Sequence, residues 1–203
     1  MLSLRSVGRR LACPPVRGSH GRAAEGGVVR YAVLLRGVNV GGAHRVRMAD
    51  LRELLAAAGC RDVATYVQSG NAAVDWDGDA ASLEERTREG LRTRVGLDVA
   101  VMARSAAEMD AVVAGNPLGE PDDPKLLHVA FLSAQPDAER LAGLEPDAWA
   151  PDRLAVGDRV LYLAYTAGMR DSPLTRQPPR LGVQATARNW RTVLAVRDLI
   201  RGR

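Results

Sequence analysis

Apolar residues in this chain come in short bursts separated by glycine- and proline-bearing breaks. Tyr31–Leu35 is a continuous apolar run of strand length, which predicts a buried strand. Met48, Leu51, Leu54, Leu55 and Ala58 then recur at helical spacing, and Gly59 supplies the stop. Val63–Val67 and Ala72–Trp76 are β-branched or alternating runs that predict two strands, and Ser69-Gly70-Asn71 between them is a hairpin signal. Ser82 with Glu85 reads as a capping box that opens a second helix, whose weak apolar stripe is Leu83, Thr87 and Leu91. Val99–Ala103 predicts a fourth strand. The order β-α-β-β-α-β is that of a ferredoxin-like plait, an antiparallel sheet with its helices on one face.

The second half partly repeats this pattern. Ser105 and Glu108 form another capping box, followed by Met109, Val112 and Val113, and Pro117 stops the helix. Leu126–Leu132 predicts a strand, and Asp137–Leu144 a short helix. Leu154–Val156 and Val160–Tyr165 flank Gly157-Asp158 as a hairpin. Residues 166–179 carry no clean period. The chain closes with a helix from about Arg188 to Ile200, built on Trp190, Val193, Leu194, the Arg197 stem and Ile200. The expected class is α+β, with two ferredoxin-like modules of antiparallel sheet, the second irregular. The expected division is an extension over 1–29, a first module over 30–104 and a second over 105–203. No sequence identity between the halves marks a repeat.

The plait gives two polar loops a shared address. In strand order 4-1-3-2 the end of strand one lies beside the start of strand three. The loop Arg36, Gly37, Val38, Asn39, Val40, Gly41, Gly42 should therefore meet Gln68, Ser69, Gly70 and Asn71. A helix N-terminus with unpaired N–H groups begins at the same end. Glycines let backbone N–H groups approach a ligand, and Arg36 offers a fork for phosphate or carboxylate. Asn39, Gln68 and Asn71 are candidates to orient a polar group. The competing reading is structural: glycines for positive φ, and Asn39 and Asn71 as self-satisfied turn residues. RGVNVGG is neither a Walker A loop nor a GxGxxG fingerprint. A third motif, TARNWRT at 186–192, puts Arg188 and Arg191 beside a helix start, where they favour an anion. Its bland alternative is a helix capped by Thr186 or Asn189 and anchored by Trp190. Arg188 and Asn189 join the candidate ligand set.

Charge narrows the function classes. The formal net charge is +4, but the first thirty residues hold six arginines against one acid, leaving 22 basic and 23 acidic residues beyond them. That near-neutral remainder is a poor nucleic-acid surface. The arginine-rich start resembles a transit peptide, yet a single lysine (Lys125) amid abundant Ala, Gly, Val and Arg suggests a GC-rich bacterial genome. Residues 1–29 are then either a disordered extension or a mis-assigned start, the true one lying near Val28 or Val29. Two cysteines, Cys13 and Cys60, build no disulfide framework or zinc site, and no run of about 20 apolar residues suggests a membrane span. The expectation is a cytoplasmic protein with no metal, cofactor or membrane partner.

Four blocks resemble the domain of unknown function 1697 family, a widespread bacterial group: YAVLLRGVNVGG at 31–42, MADLRELLAAAGC at 48–60, VATYVQSGNAAV at 63–74 and TARNWRTVLAV at 186–196. The resemblance covers about Arg30 to Ile200 and implies tandem ferredoxin-like modules, with no established activity. That family usually carries a lysine after the double glycine, where Ala43 stands here, and a Ser-Lys-Leu segment that appears as Ser172-Pro173-Leu174. Arg45 or Arg170 are candidate substitutes. The first functional expectation is a binder of a small anionic or polar ligand, phosphate- or nucleotide-like. If it is an enzyme, His44 is the acid/base candidate. The alternatives are an RNA-binding plait, with only Tyr31 and Trp76 as stacking residues, and a protein-interaction module without a small-molecule site.

Overall fold

The computed structural model describes residues 27–41 and 44–202. Two four-stranded antiparallel sheets form, and they share one strand order. The first contains β1 (Val29–Leu35), β2 (Arg61–Tyr66), β3 (Asn71–Trp76) and β4 (Val101–Ser105), in the order β2-β3-β1-β4. The second contains β5 (Leu127–Leu132), β6 (Arg153–Gly157), β7 (Val160–Ala164) and β8 (Ala185–Asn189), in the order β6-β7-β5-β8. Both are the order the plait requires. The extension expected over 1–29, apart from its last three residues, lies outside the described residues, as do Gly42 and Ala43.

Alternation along the strands divides the core into three clusters. The odd residues Tyr31, Val33 and Leu35 of β1, with Ala72, Val74, Val101 and Ala103, face α1 (Met48–Ala57) and α2 (Ala80–Gly90). The even residues Ala32 and Leu34, with Ala73 and Met102, face the opposite way. They pack on α3 (Ala106–Ala114) and α6 (Trp190–Ile200), which also meet Val129, Phe131, Val160 and Tyr162 of the second sheet. Helices α3 and α6 are thus the shared middle layer between the two sheets. The outer face of the second sheet (Ala130, Leu132, Leu161, Leu163) packs on Trp149, Tyr165, Leu174 and Leu181. Among the described residues the helices in that outer region are the short α4 (Ala138–Ala142) and α5 (Pro173–Arg176), with a 3-10 turn at Pro146–Trp149. The irregularity expected of the second half therefore lies in its helical layer and spares its sheet.

Local chemistry explains most boundaries and corrects some. The capping box at Ser105 and Glu108 forms in full. Helix α2 starts earlier than Ser82: Asp79 is the cap, its carboxylate accepting from Ser82 N–H at 2.8 Å. Asp is as good a cap as Ser, and here it sits one turn upstream. The second hairpin turns at Asp158-Arg159, one residue later than expected, with Gly157 paired to Val160. The largest correction is β8. The stretch assigned to the start of the last helix is a strand as far as Asn189, and Asn189 then caps α6 by accepting from Thr192 N–H. ATARN lacks an apolar alternation because its inward residues are polar: Thr186 and Arg188 are buried.

Two arginines tie the sheets together reciprocally. Arg188 of β8 donates from Nη2 to the carbonyls of Leu35 (2.8 Å) and Ser69 (3.0 Å), at the end of β1 and the β2–β3 turn. Arg104 of β4 donates from Nη2 to the carbonyls of Leu132 (2.6 Å) and Arg159 (3.2 Å), at the end of β5 and the β6–β7 turn. Each fourth strand thus reaches the same two places on the other sheet. The turn residues match as well: Gly70 O accepts from Leu35 N–H, Arg159 O from Leu132 N–H, and both turn residues have positive φ. The two halves thus share a strand order and a reciprocal arginine contact, and their sequences agree there in the pair Ala-Arg, Ala103-Arg104 and Ala187-Arg188. Burial lowers both guanidinium groups to about 10, which leaves them charged at neutral pH.

Candidate functional site

The two loops brought to one address by the strand order do meet. Asn39 Nδ2 donates to Gln68 O at 2.6 Å, and Leu35 N–H donates to Gly70 O at 2.8 Å. Most of their polar groups are then consumed in holding the junction. Asn39 also exchanges hydrogen bonds with Val46, donating to its carbonyl and accepting from its N–H. Asn71 is fully buried; its Nδ2 donates to Tyr66 O and Ser69 Oγ, and its Oδ1 accepts from Arg188 Nε. Gly70 (φ 70°) is a packing residue, since a Cβ there would lie 2.5 Å from Val38 Cγ2. The remaining Arg188 donors go to Thr186 Oγ1 and Ala187 O. All of these acceptors are uncharged, so the loops and β8 form a neutral hydrogen-bonded cradle around one buried cation.

The open surface lies on the other side of the first loop. A groove of about 850 Å³ is lined by Arg36, Gly37, Val40 and His44, by Ala81, Glu84, Glu85 and Arg88 of α2, by residues 98–101 before and in β4, and by Gln184. Among the described residues, nothing lies within 4 Å of where a Cβ on Gly37 (φ 64°) would stand. Gly41 (φ 62°) is likewise open but is not part of the lining. None of Gln68, Ser69, Gly70, Asn71, Arg188 or Asn189 lines the groove. The predicted pairing of the first loop with residues 68–71 forms, and the groove opens on the other side of that loop. The opposite wall carried its own signal: Ala81, Glu84, Glu85 and Arg88 recur at the spacing of one helix face.

The charges in the groove are unequally committed. Asp98 accepts two hydrogen bonds from Arg88, at 2.8 and 3.1 Å. Glu84 accepts from Ala103 N–H at 2.7 Å, and burial raises its carboxyl group, opposed by that hydrogen bond. Arg36 is exposed and has no ion-pair partner among the described residues. Strand β4 is one of the two edges of its sheet. Ala103 and Ser105 turn their N–H groups away from β1 toward Glu84 and Glu108. Val101 belongs to the same outward row, so its N–H and C=O face the groove.

Other candidates resolve differently. Cys60 is buried, and burial pushes its thiol up to about 11, so it behaves as a small hydrophobe. Among the described residues no group of three His, Cys, Asp or Glu side chains could hold a metal ion. None of their helices is long and apolar enough to cross a membrane.

A family model described as "Protein of unknown function (DUF1697)" matches residues 28–162. No curated protein matches the chain. Among solved structures, the chain is similar to the conserved bacterial protein SP0830 from Streptococcus pneumoniae, with a TM-score of 0.69 and 22% identity, over 86% of this chain and 99% of that one. Identity at that level establishes a shared fold. With its family match spanning more than half of its length, the chain belongs to the DUF1697 family.

Proposed function

We propose that the protein binds a small ligand with an anionic end, a phosphate or carboxylate, in the groove between the Arg36–His44 loop and α2. The observation that carries this reading is the uncommitted Arg36 at the groove wall. Two of the carboxylates sharing that groove are already engaged, by Arg88 and by Ala103 N–H. A guanidinium in that position offers a bidentate fork. Gly37 beside it has no side chain to block approach. The outward N–H and C=O of Val101 add a donor–acceptor edge, the pattern a nucleobase or an amide also presents. Nucleotide-like ligands therefore suit the groove better than bare phosphate does.

An RNA-binding plait would need an exposed sheet face for stacking. Here both faces of each sheet are covered, and Tyr31 lies in the core at 7% exposure. That weighs against the RNA reading.

The test is a thermal-shift series with nucleotides, sugar phosphates and dicarboxylates on the wild type and on Arg36→Ala. At about ten times Kd a bound ligand raises Tm by roughly 3–6 °C in a chain of this size. Arg36→Ala is expected to abolish that shift and leave the unliganded Tm unchanged. A ligand-induced shift that survives in Arg36→Ala would refute the assignment.

A further inference from the structure

A second, smaller space lies on the far side of the molecule from α1 and α2. Where the first sheet is roofed by two regular helices, the outer face of the second is roofed by the segment 166–184, a strap with a single short helix. The strap is pinned in three places. Near its start, Thr166 N–H and Ser172 Oγ both donate to the carboxylate of Asp152, which is 6% exposed. In its middle, Trp149 Nε1 donates to Gln177 O at 2.8 Å. At its end, Ser133 N–H donates to Gln184 O, and Gln184 N–H to Ser133 Oγ. Between the pins it arches over Ala130, Leu132, Leu161 and Leu163 and leaves a cavity of about 230 Å³. The arch itself contributes Met169, Leu174, Pro178, Pro179 and Leu181.

The lining defines the chemistry of an occupant. Among the described residues no charged side chain borders the cavity, and the polar side chains that do are the hydroxyls of Tyr165 and Thr175. An apolar cavity of about 150 Å³ already admits benzene, and drug-sized pockets begin near 300 Å³. A volume between these limits fits one ring or a fused pair. A charged group inside would lose its hydration with nothing to replace it. Access is built in: Met169 lines the cavity, is 39% exposed and follows Gly168 at φ 96°. A flexible thioether at the rim can swing aside without breaking any of the three pins.

The geometry points to a second binding site under the strap, for a small uncharged aromatic or branched aliphatic molecule. It is separate from the charged groove, although Gln184 lines the groove while its neighbours Val183 and Ala185 line the cavity.

Indole serves as the probe, with two readouts on the full chain: Tm, and the methyl signals of methyl-¹³C methionine. The expected result is a rise in Tm of roughly 3–6 °C at an indole concentration of about ten times Kd. Of the methionine methyls, that of Met169 should move most. Ala130→Phe, which fills the floor, should abolish both responses. Met169→Gln, at the rim, provides a second variant should Ala130→Phe fail to fold, and it is expected to weaken the Tm response several-fold. No Tm rise and no movement of the Met169 methyl in the wild type would overturn the proposal. So would responses that persist unchanged in whichever of the two variants folds.

Discussion

The two sheets share a strand order and differ in what covers their outer faces. Helices α1 and α2 bring Leu51, Leu54, Leu55 and Leu83 onto the first sheet, each at 2% exposure or less. The second sheet is covered by four- and five-residue helices and a strap, and a cavity remains beneath. A helix face offers side chains at fixed 3.6-residue intervals and fills a sheet surface evenly. A strap is positioned by a few hydrogen bonds, and the spaces between them need not close. One topology therefore yields a dense core in one half and a receptive one in the other. The reciprocal arginines repeat the lesson. Arg188 donates five hydrogen bonds, one of them to Oδ1 of Asn71, the first residue of β3. Arg104 makes three, because Val160 at the matching start of β7 and Met102, two residues before Arg104, offer no side-chain acceptor.

That asymmetry can be broken experimentally. Arg188→Ala removes the cation and strands several buried acceptors, each worth about 1–3 kcal/mol when left unsatisfied. We expect a loss of roughly 3–5 kcal/mol by urea unfolding. Arg104→Ala should lose less; an equal or larger loss would show that the two clamps are energetically equivalent. The packing contrast is tested next. Leu51→Ala should cost about 3–4 kcal/mol in the dense first half. Leu174→Ala, beside an existing cavity, should cost roughly 1–2 kcal/mol, because fewer contacts are lost. Matching values in denaturant titrations would remove the distinction.

A smaller and opposite pair sharpens it. Ala130→Val adds methyl groups toward the cavity and should stabilise by about 0.5–1 kcal/mol. Ala103→Val adds them to a filled layer, where Ala103 is fully buried, and should destabilise by about 1 kcal/mol or more. The Tm shifts should have opposite signs.

The mildest effect is in pH. Burial drops His128 of β5 to about 4 from an ordinary 6.5, and its Nδ1 has no hydrogen-bond partner. Between those values the unfolded chain binds a proton that the folded chain refuses, so Tm should fall as pH drops through that window. His128→Gln should flatten this part of the profile; an unchanged slope would assign it to other groups.

Much of the fold was legible because it is written locally. Strands β1, β3, β5 and β7 are apolar runs, and the Ser105–Glu108 box marks α3 in four residues. The meeting of the loop after β1 with residues 68–71, through Asn39 and Gln68, followed from strand order alone. What that meeting is for was not legible, since Asn39 and Asn71 look alike as ligand donors and as loop staples. Only their partners, Val46 O and Gln68 O for one and Arg188 for the other, distinguish the two roles. The groove's far wall was written in the sequence as a charged face of α2. Nothing local connected that face to Arg36, which is nearly fifty residues earlier in the chain.

By itself the sequence determined the β-α-β-β-α-β order of the first half and the capping box of α3, because backbone propensity and hydrogen-bonding side chains act within a few residues. Tertiary structure alone decided that ATARN is a strand, since its buried face is made of Thr186 and Arg188 and is satisfied by carbonyls more than a hundred residues away. It also decided which arginines are structural and which is free. Arginine in the sequence is the same residue at 36, 104 and 188; the acceptors around it set its role, and folding supplies them.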